Sequence, residues 1–170
     1  GLPILNNDGL IKRSTSSGEA QLGVLELNNN GGILQVDSGT LTIAGFGNKN
    51  LTGGTYIVSS GAVLDLGAAI VSGFLMGTVE GDLNWNNGIT VPVSATFNFS
   101  GGGTFNWTGG GLDGGGVLTN ESTFNLTESF AKSIQDDTTL NNSGVINIVD
   151  TGDLIIQSGT FQGWTVQQLL

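Results

Sequence analysis

Apolar and polar residues alternate along most of this chain in runs of four to six, and small polar residues interrupt the runs every six to ten positions. That rhythm predicts short β-strands joined by tight corners, with no room for helices. The stretch LNNSGVINIVDTGDLIIQSGTF, residues 140 to 161, shows it best. A polar corner is expected at Asn141, Asn142, Ser143 and Gly144, then a strand over Val145 to Val149. A second corner follows at 150 to 153, a strand over Leu154 to Ile156, and a third corner at Ser158–Gly159. Leu-Asn-Asn-x-Gly opens this unit and occurs three times, at Leu5, Leu27 and Leu140, the first two copies lying 22 residues apart.

A repeat of that length, containing only strands and corners, predicts an all-β fold. The specific expectation is a parallel β-helix (β-solenoid) of about seven or eight irregular coils, forming one domain over residues 1–170. Strands stacked about 4.8 Å apart would give a rod on the order of 35 Å long. Inward apolar columns are expected from among Ile33, Leu41, Ile43, Val63, Leu64, Leu66, Val145 and Ile148, alternation allowing only some of them to point in. Glycine and asparagine suit the corners, where the chain turns through positive φ.

Three stretches vary the theme. Residues 67–79 (GAAIVSGFLMGTV) are the most apolar, and Gly73 and Gly77 favour two tightly turning strands over a helix. Thr-Phe-Asn recurs at Thr96, Thr104 and Thr123, placing Phe97 with Phe99, Phe105 with Trp107, and Phe124 with Leu126 on one strand face, and Asn98, Asn106 and Asn125 on the other. Residues 128–139 read as a loop or a strand with an insertion. The end, FQGWTVQQLL, leaves the repeat pattern.

Composition narrows the classes. Thirty glycines suggest disorder, but 38% hydrophobic residues with β-branched alternation predict a packed fold. Only 11% of residues are charged, with four basic against fourteen acidic and a net charge of −10. Lys12–Arg13 is the only basic pair, so no basic stripe is present to neutralise phosphates, and nucleic acid is not an expected partner. No run approaches the roughly 18 apolar residues of a membrane helix, so no membrane span is expected. The chain has no cysteine and no histidine, which removes the usual general base and the commonest transition-metal ligand. It starts at Gly1 without an initiating Met or signal peptide, so a processed form or a fragment of a longer chain is expected.

The repeats LNNSGVINIVDTGDLIIQSGTF, TFNWTGGGLDGGGVLTNESTFNL and GGTYIVSSGAVLDLG resemble those of bacterial secreted and surface β-helix proteins. These are the adhesin-like group of filamentous-haemagglutinin and autotransporter-passenger rods. The resemblance covers most of residues 24 to 161 and rests on motifs that encode a shape. It implies a right-handed parallel β-helix, an extracellular or cell-surface setting and an adhesive or structural role.

Candidate chemistry is sparse. Glu80 and Asp82 stand two apart and form a candidate carboxylate pair for glycoside hydrolysis, against the plainer reading of a solvated face beside a turn. β-Helix polysaccharide lyases rely on calcium-binding acids and a basic catalytic residue. Arg13, Lys12, Lys49 and Lys132 are too scattered to supply that apparatus. GGGLDGGG (109–116) resembles a calcium-binding repeat, but its Asp comes one place early and the unit occurs once, so a tight turn is expected. Asp136–Asp137 and Asp150/Asp153 read as turn acids before they read as cation ligands. Thr40-Leu-Thr42, a Thr-x-Thr pair of ice-binding type, occurs once, and Asn-x-Ser/Thr sequons stand at Asn50, Asn98, Asn106, Asn120 and Asn125.

No catalytic residue, metal ligand or cofactor is therefore assigned. The expected role is a structural component of a bacterial extracellular fibre, filament or adhesin. Its partner is either itself or the rest of a longer surface protein. Candidate self-association residues are Gly1, Leu2, Pro3, Ile4 and Leu5 at one end and Trp164, Val166, Leu169 and Leu170 at the other, from the two apolar termini. The alternative is a module that binds glycans or a host surface by stacking sugars on Tyr56 and Trp85, Trp107 being read as core because it shares a face with Phe105. A polysaccharide-processing enzyme is the third reading.

Overall fold

The structure, a computed structural model, describes residues 3–23, 26–45, 47–128, 130–149, 153–163 and, for the backbone only, 166–169. Every regular element among them is a strand. The first two coils hold three strands each: β1 (Ile4–Asn7), β2 (Leu10–Arg13), β3 (Glu19–Gly23), then β4 (Glu26–Asn30), β5 (Ile33–Val36), β6 (Thr40–Ala44). In the next two coils the first and second strands run together: β7 (Lys49–Val58) with β8 (Val63–Asp65), and β9 (Ala69–Val79) with β10 (Asp82–Trp85). Three strands per coil then resume with β11 (Ile89–Thr90), β12 (Ser94–Ser100), β13 (Thr104–Trp107), and β14 (Gly110–Asp113), β15 (Val117–Asn120), β16 (Thr123–Leu126). The last strands are β17 (Lys132–Ile134), β18 (Thr139–Asn142), β19 (Val145–Val149), followed by β20 (Leu154–Ile156), β21 (Thr160–Gly163), β22 (Val166–Leu169).

All strand pairings are parallel, and each strand pairs with its equivalents in the neighbouring coils. The chain is a three-sided parallel β-solenoid of about seven turns. Eight strands from β3 to β22 form the third face, and the other fourteen form a second sheet that covers the first and second faces. Those two faces merge because β7 and β9 bend around the corner without breaking. Gly53 and Gly73 make the bend at φ values of +69° and +73°, where the pairing register shifts between Thr52 and Gly54. The two turning strands expected over 67–79 are thus one strand bent at Gly73.

Alternation puts one residue in two inside. On the third face Leu41, Leu64, Leu83, Phe105, Phe124 and Ile146 form a buried column running along the rod. Phe105 and Phe124 stack with ring centroids 4.4 Å apart, and Trp107 lies parallel to Phe124 at 5.9 Å. Of the expected inward residues, Leu41, Ile43, Leu64 and Leu66 are buried and Ile148 packs against the core half-buried. Ile33, Val63 and Val145 instead occupy the outward positions of β5, β8 and β19. The reason is period two: each precedes the buried residue by one.

The Leu-Asn-Asn motif is a strand end and not itself a corner. Both asparagines lie within β1, β4 and β18, and the corner follows at Asp8–Gly9, Gly31–Gly32 and Ser143–Gly144. The second asparagine points inward: Asn7, Asn29 and Asn142 are buried. Each satisfies the corner beyond it. Asn29 Nδ2 donates to the Gly32 carbonyl at 3.3 Å, Asn142 Nδ2 to that of Gly144 at 3.2 Å, and Asn7 Oδ1 accepts from the Gly9 amide at 3.3 Å. The copies at Leu5 and Leu27 stack in register, but the copy at Leu140 lies on the second face, in β18. The motif therefore marks a type of corner and not a fixed place in the coil.

Candidate functional site

The four basic side chains all bind the chain itself. Lys12 forms an ion pair with Asp37 at 2.8 Å, and the bonds that Lys12 and Gln35 give the Asp37 carboxylate hold its pKa below the ordinary value. Arg13 donates to the carbonyls of Ser38, Ser16 and Gly18 and so staples the corner at 14–18. Lys49 lies almost wholly buried in an inward position beside Leu27 of the preceding coil, where burial pushes its pKa down, and its Nζ donates to the Ala68 carbonyl at 3.3 Å. Lys132, also buried, donates to the carbonyls of Thr127 and Glu128. The remaining charged side chains are all acidic.

The outward positions of the third face carry a continuous amide ladder. Asn84 Nδ2 donates to Asp65 Oδ1 at 3.0 Å, Asn106 to Asn84 at 2.9 Å, Asn125 to Asn106 at 3.2 Å and Asn147 to Asn125 at 2.8 Å. The side chains lie one coil apart because strand alternation puts the same outward position above itself in each coil. Every bond in the ladder runs in the same direction, and it ends on the Asp65 carboxylate. A shorter ladder, Asn6–Asn28–Asn50, lies on the first face.

Beside the third-face ladder runs a groove of about 990 Å³. Its floor includes Asp65, Asp82, Asn84, Asn106 and Thr108, and Thr127, Glu128, Phe130 and Ala131 line one wall. Part of this wall belongs to residues 128–139, expected to be a loop or a strand with an insertion. Elsewhere in that stretch lies β17, and then a tight turn in which Asp136 and Asp137 both take positive φ and the Thr138 amide bonds the Gln135 carbonyl at 3.1 Å. Two successive positive-φ residues define a type I′ turn, a role for these two acids that requires no cation. Asp150 lies outside the described residues. Among the described residues no three His, Cys, Asp or Glu side chains converge as a metal-binding group.

Tyr56 and Trp85 are fully buried, which removes both as stacking platforms for sugars. Tyr56 meets Phe99 edge-on at 5.8 Å, and Trp85 stacks on Phe97 at 5.3 Å. Alternation within β7 and β10 sends both rings inward, as it sends Trp107. Glu80 is exposed in the corner before β10, where its carboxylate accepts from the Gly102 amide, while Asp82 accepts from Thr104 Oγ1 at 2.6 Å. Each carboxylate has its own structural partner one coil on. GGGLDGGG is half strand: Gly110–Asp113 form β14, and only Gly114–Gly116 make the corner. Of these sequon asparagines, Asn98 is exposed and Asn120 buried; Asn50, Asn106 and Asn125 belong to the ladders.

Among the self-association candidates, Pro3 and Ile4 are exposed and Leu5 is half-buried, with β1 bonded to β4 on one side. Gly1, Leu2, Trp164 and Leu170 lie outside the described residues, and Val166 and Leu169 are described only as backbone in β22. Phe130, 70% exposed, is the surface residue that sequence reasoning missed. Its only sequence signal was the break in alternation at 127–131.

The fold thus defines the class: a parallel β-solenoid. No protein-family model matches the chain, and no curated protein or solved structure matches it.

Proposed function

We propose that this chain is a structural component of a bacterial extracellular surface fibre, filament or adhesin, working as a stiff spacer and assembling through its solenoid ends or faces. The observation that carries this reading is the unbroken stack. The strands of successive coils pair in parallel, with one register shift between Thr52 and Gly54, the core columns continue through the rod, and amide ladders tie the coils together outside. Bending such a rod strains backbone ladders on three faces at once, so stiffness follows from the topology. The resemblance of the repeats to surface-rod sequences supports the setting. Apolar, outward side chains at Pro3 and Ile4 support one end as a joining surface.

The test is removal of residues 1–5 or 164–170 followed by sedimentation velocity over a wide concentration range. Loss of assembly in either truncated chain, with the β-rich circular dichroism spectrum intact, is the expected result. Assembly that survives both truncations contradicts an end-to-end joint.

A further inference from the structure

We propose that the groove on the third face is a binding site for a neutral, polyhydroxylated glycan, with Phe130 as its stacking platform. This stands apart from rod assembly and uses none of the terminal residues.

Three observations lead there. The first is size and position. The groove's volume of about 990 Å³ is at the upper end of the roughly 300–1,000 Å³ of small-molecule sites, and its floor crosses successive coils from Asp65 through Asn84 to Asn106, along the rod axis. An open trough of that direction suits an oligosaccharide lying along the rod.

The second is the chemistry of the floor. Carboxylate, amide and hydroxyl groups recur at the spacing of stacked strands, about 4.8 Å. In the ladder each bridging amide gives a hydrogen to one neighbour and accepts one from the other. An amide carries two donors and two acceptor lone pairs, so Asn84 keeps one of each for a ligand, while Asn106, which also donates to Thr104 Oγ1 at 2.8 Å, keeps an acceptor lone pair. Sugar hydroxyls, donors and acceptors at once, match that surface. Asp65, Asp82 and Glu128 line the groove and no lysine or arginine does, so an anionic polysaccharide is disfavoured by charge.

The third is the wall. Phe130 is a large apolar ring left 70% exposed, on a loop held by buried Lys132 through the carbonyls of Thr127 and Glu128. Ordering a loop that presents an aromatic ring to a polar trough gives an apolar face for the C–H side of a sugar ring. Lys132 acts here as a positioning residue, because it holds the loop and does not line the groove.

The experiment is calorimetric titration of the full chain with soluble neutral oligosaccharides (cello-, xylo-, manno- and malto-series) and, separately, with oligogalacturonate. Binding of at least one neutral series is expected, with oligogalacturonate about tenfold weaker or absent. Phe130→Ala should weaken binding about tenfold, Phe130→Trp should retain it, and Phe74→Ala on the opposite sheet should leave it unchanged. Circular dichroism of each variant separates loss of the site from loss of the fold. The proposal is overturned if no neutral series binds, if oligogalacturonate binds best, or if well-folded Phe130→Ala binds like the parent chain.

Discussion

Asn28 and Asn29 are adjacent in β4 yet face opposite environments. Asn28 lies in the outer ladder, while Asn29 is fully buried, accepting from Asn7 at 2.6 Å and donating to the Gly32 carbonyl. Replacing Asn28 with alanine removes bonds that water replaces, and should cost less than about 1 kcal/mol. Asn29→Ala leaves buried polar groups unpaired and should cost about 1–3 kcal/mol. Urea denaturation of the two variants checks the difference, and equal losses would contradict the inward corner role. Tyr56, the one tyrosine of the chain, gives a second residue-scale prediction. Burial pushes its phenol well above the ordinary value of 10.0. The folded protein therefore keeps the proton, and stability falls as pH rises past the unfolded value of about 10. Phenolate absorbance should appear only together with loss of β-structure, and phenolate formation in a still-folded chain would contradict the burial. At this scale the sequence was legible where alternation was clean, as in placing Phe105 and Trp107 on one buried face. It misled where polar residues turned inward. Asn7, Asn29 and Asn142 look like loop asparagines because the corner bonds that reward their burial are made to backbone, which has no letter in the sequence.

Among the elements, β9 depends most on backbone freedom. It turns at Gly73, then passes Gly77 at φ +151°, where a Cβ would overlap the Tyr56 carbonyl oxygen. Gly77→Ala should therefore destabilise the fold by about 3 kcal/mol or more, since the clash is with backbone of the adjacent coil and cannot be relieved by a rotamer change. Thermal melting checks it, and a loss under about 1 kcal/mol would contradict the close approach. Strands β19 and β20 were legible to the residue. The assignment of strands to faces was not. Thr-Phe-Asn at Thr96 lies in β12 on the second face, whereas the copies at Thr104 and Thr123 stack in β13 and β16 on the third. A three-residue motif reports the in–out pattern of a strand, which is the same on every face, and holds no information about which side of the prism the strand occupies.

For the whole molecule, the solenoid followed from repeat length and corner spacing, and about seven turns agrees with that expectation. The groove did not, because it arises from residues of several coils brought together by stacking and from one loop that departs from the repeat. Tyr56 and Trp85 were the natural sugar-stacking candidates on residue type alone, and register sent both into the core. The central claim is that this rod acts by assembling, and electron microscopy of the purified chain across concentration tests it most directly. Filaments with an axial repeat near the rod length, about 35 Å for seven turns at the strand spacing, are the expected result. Isolated short rods at every concentration would contradict it.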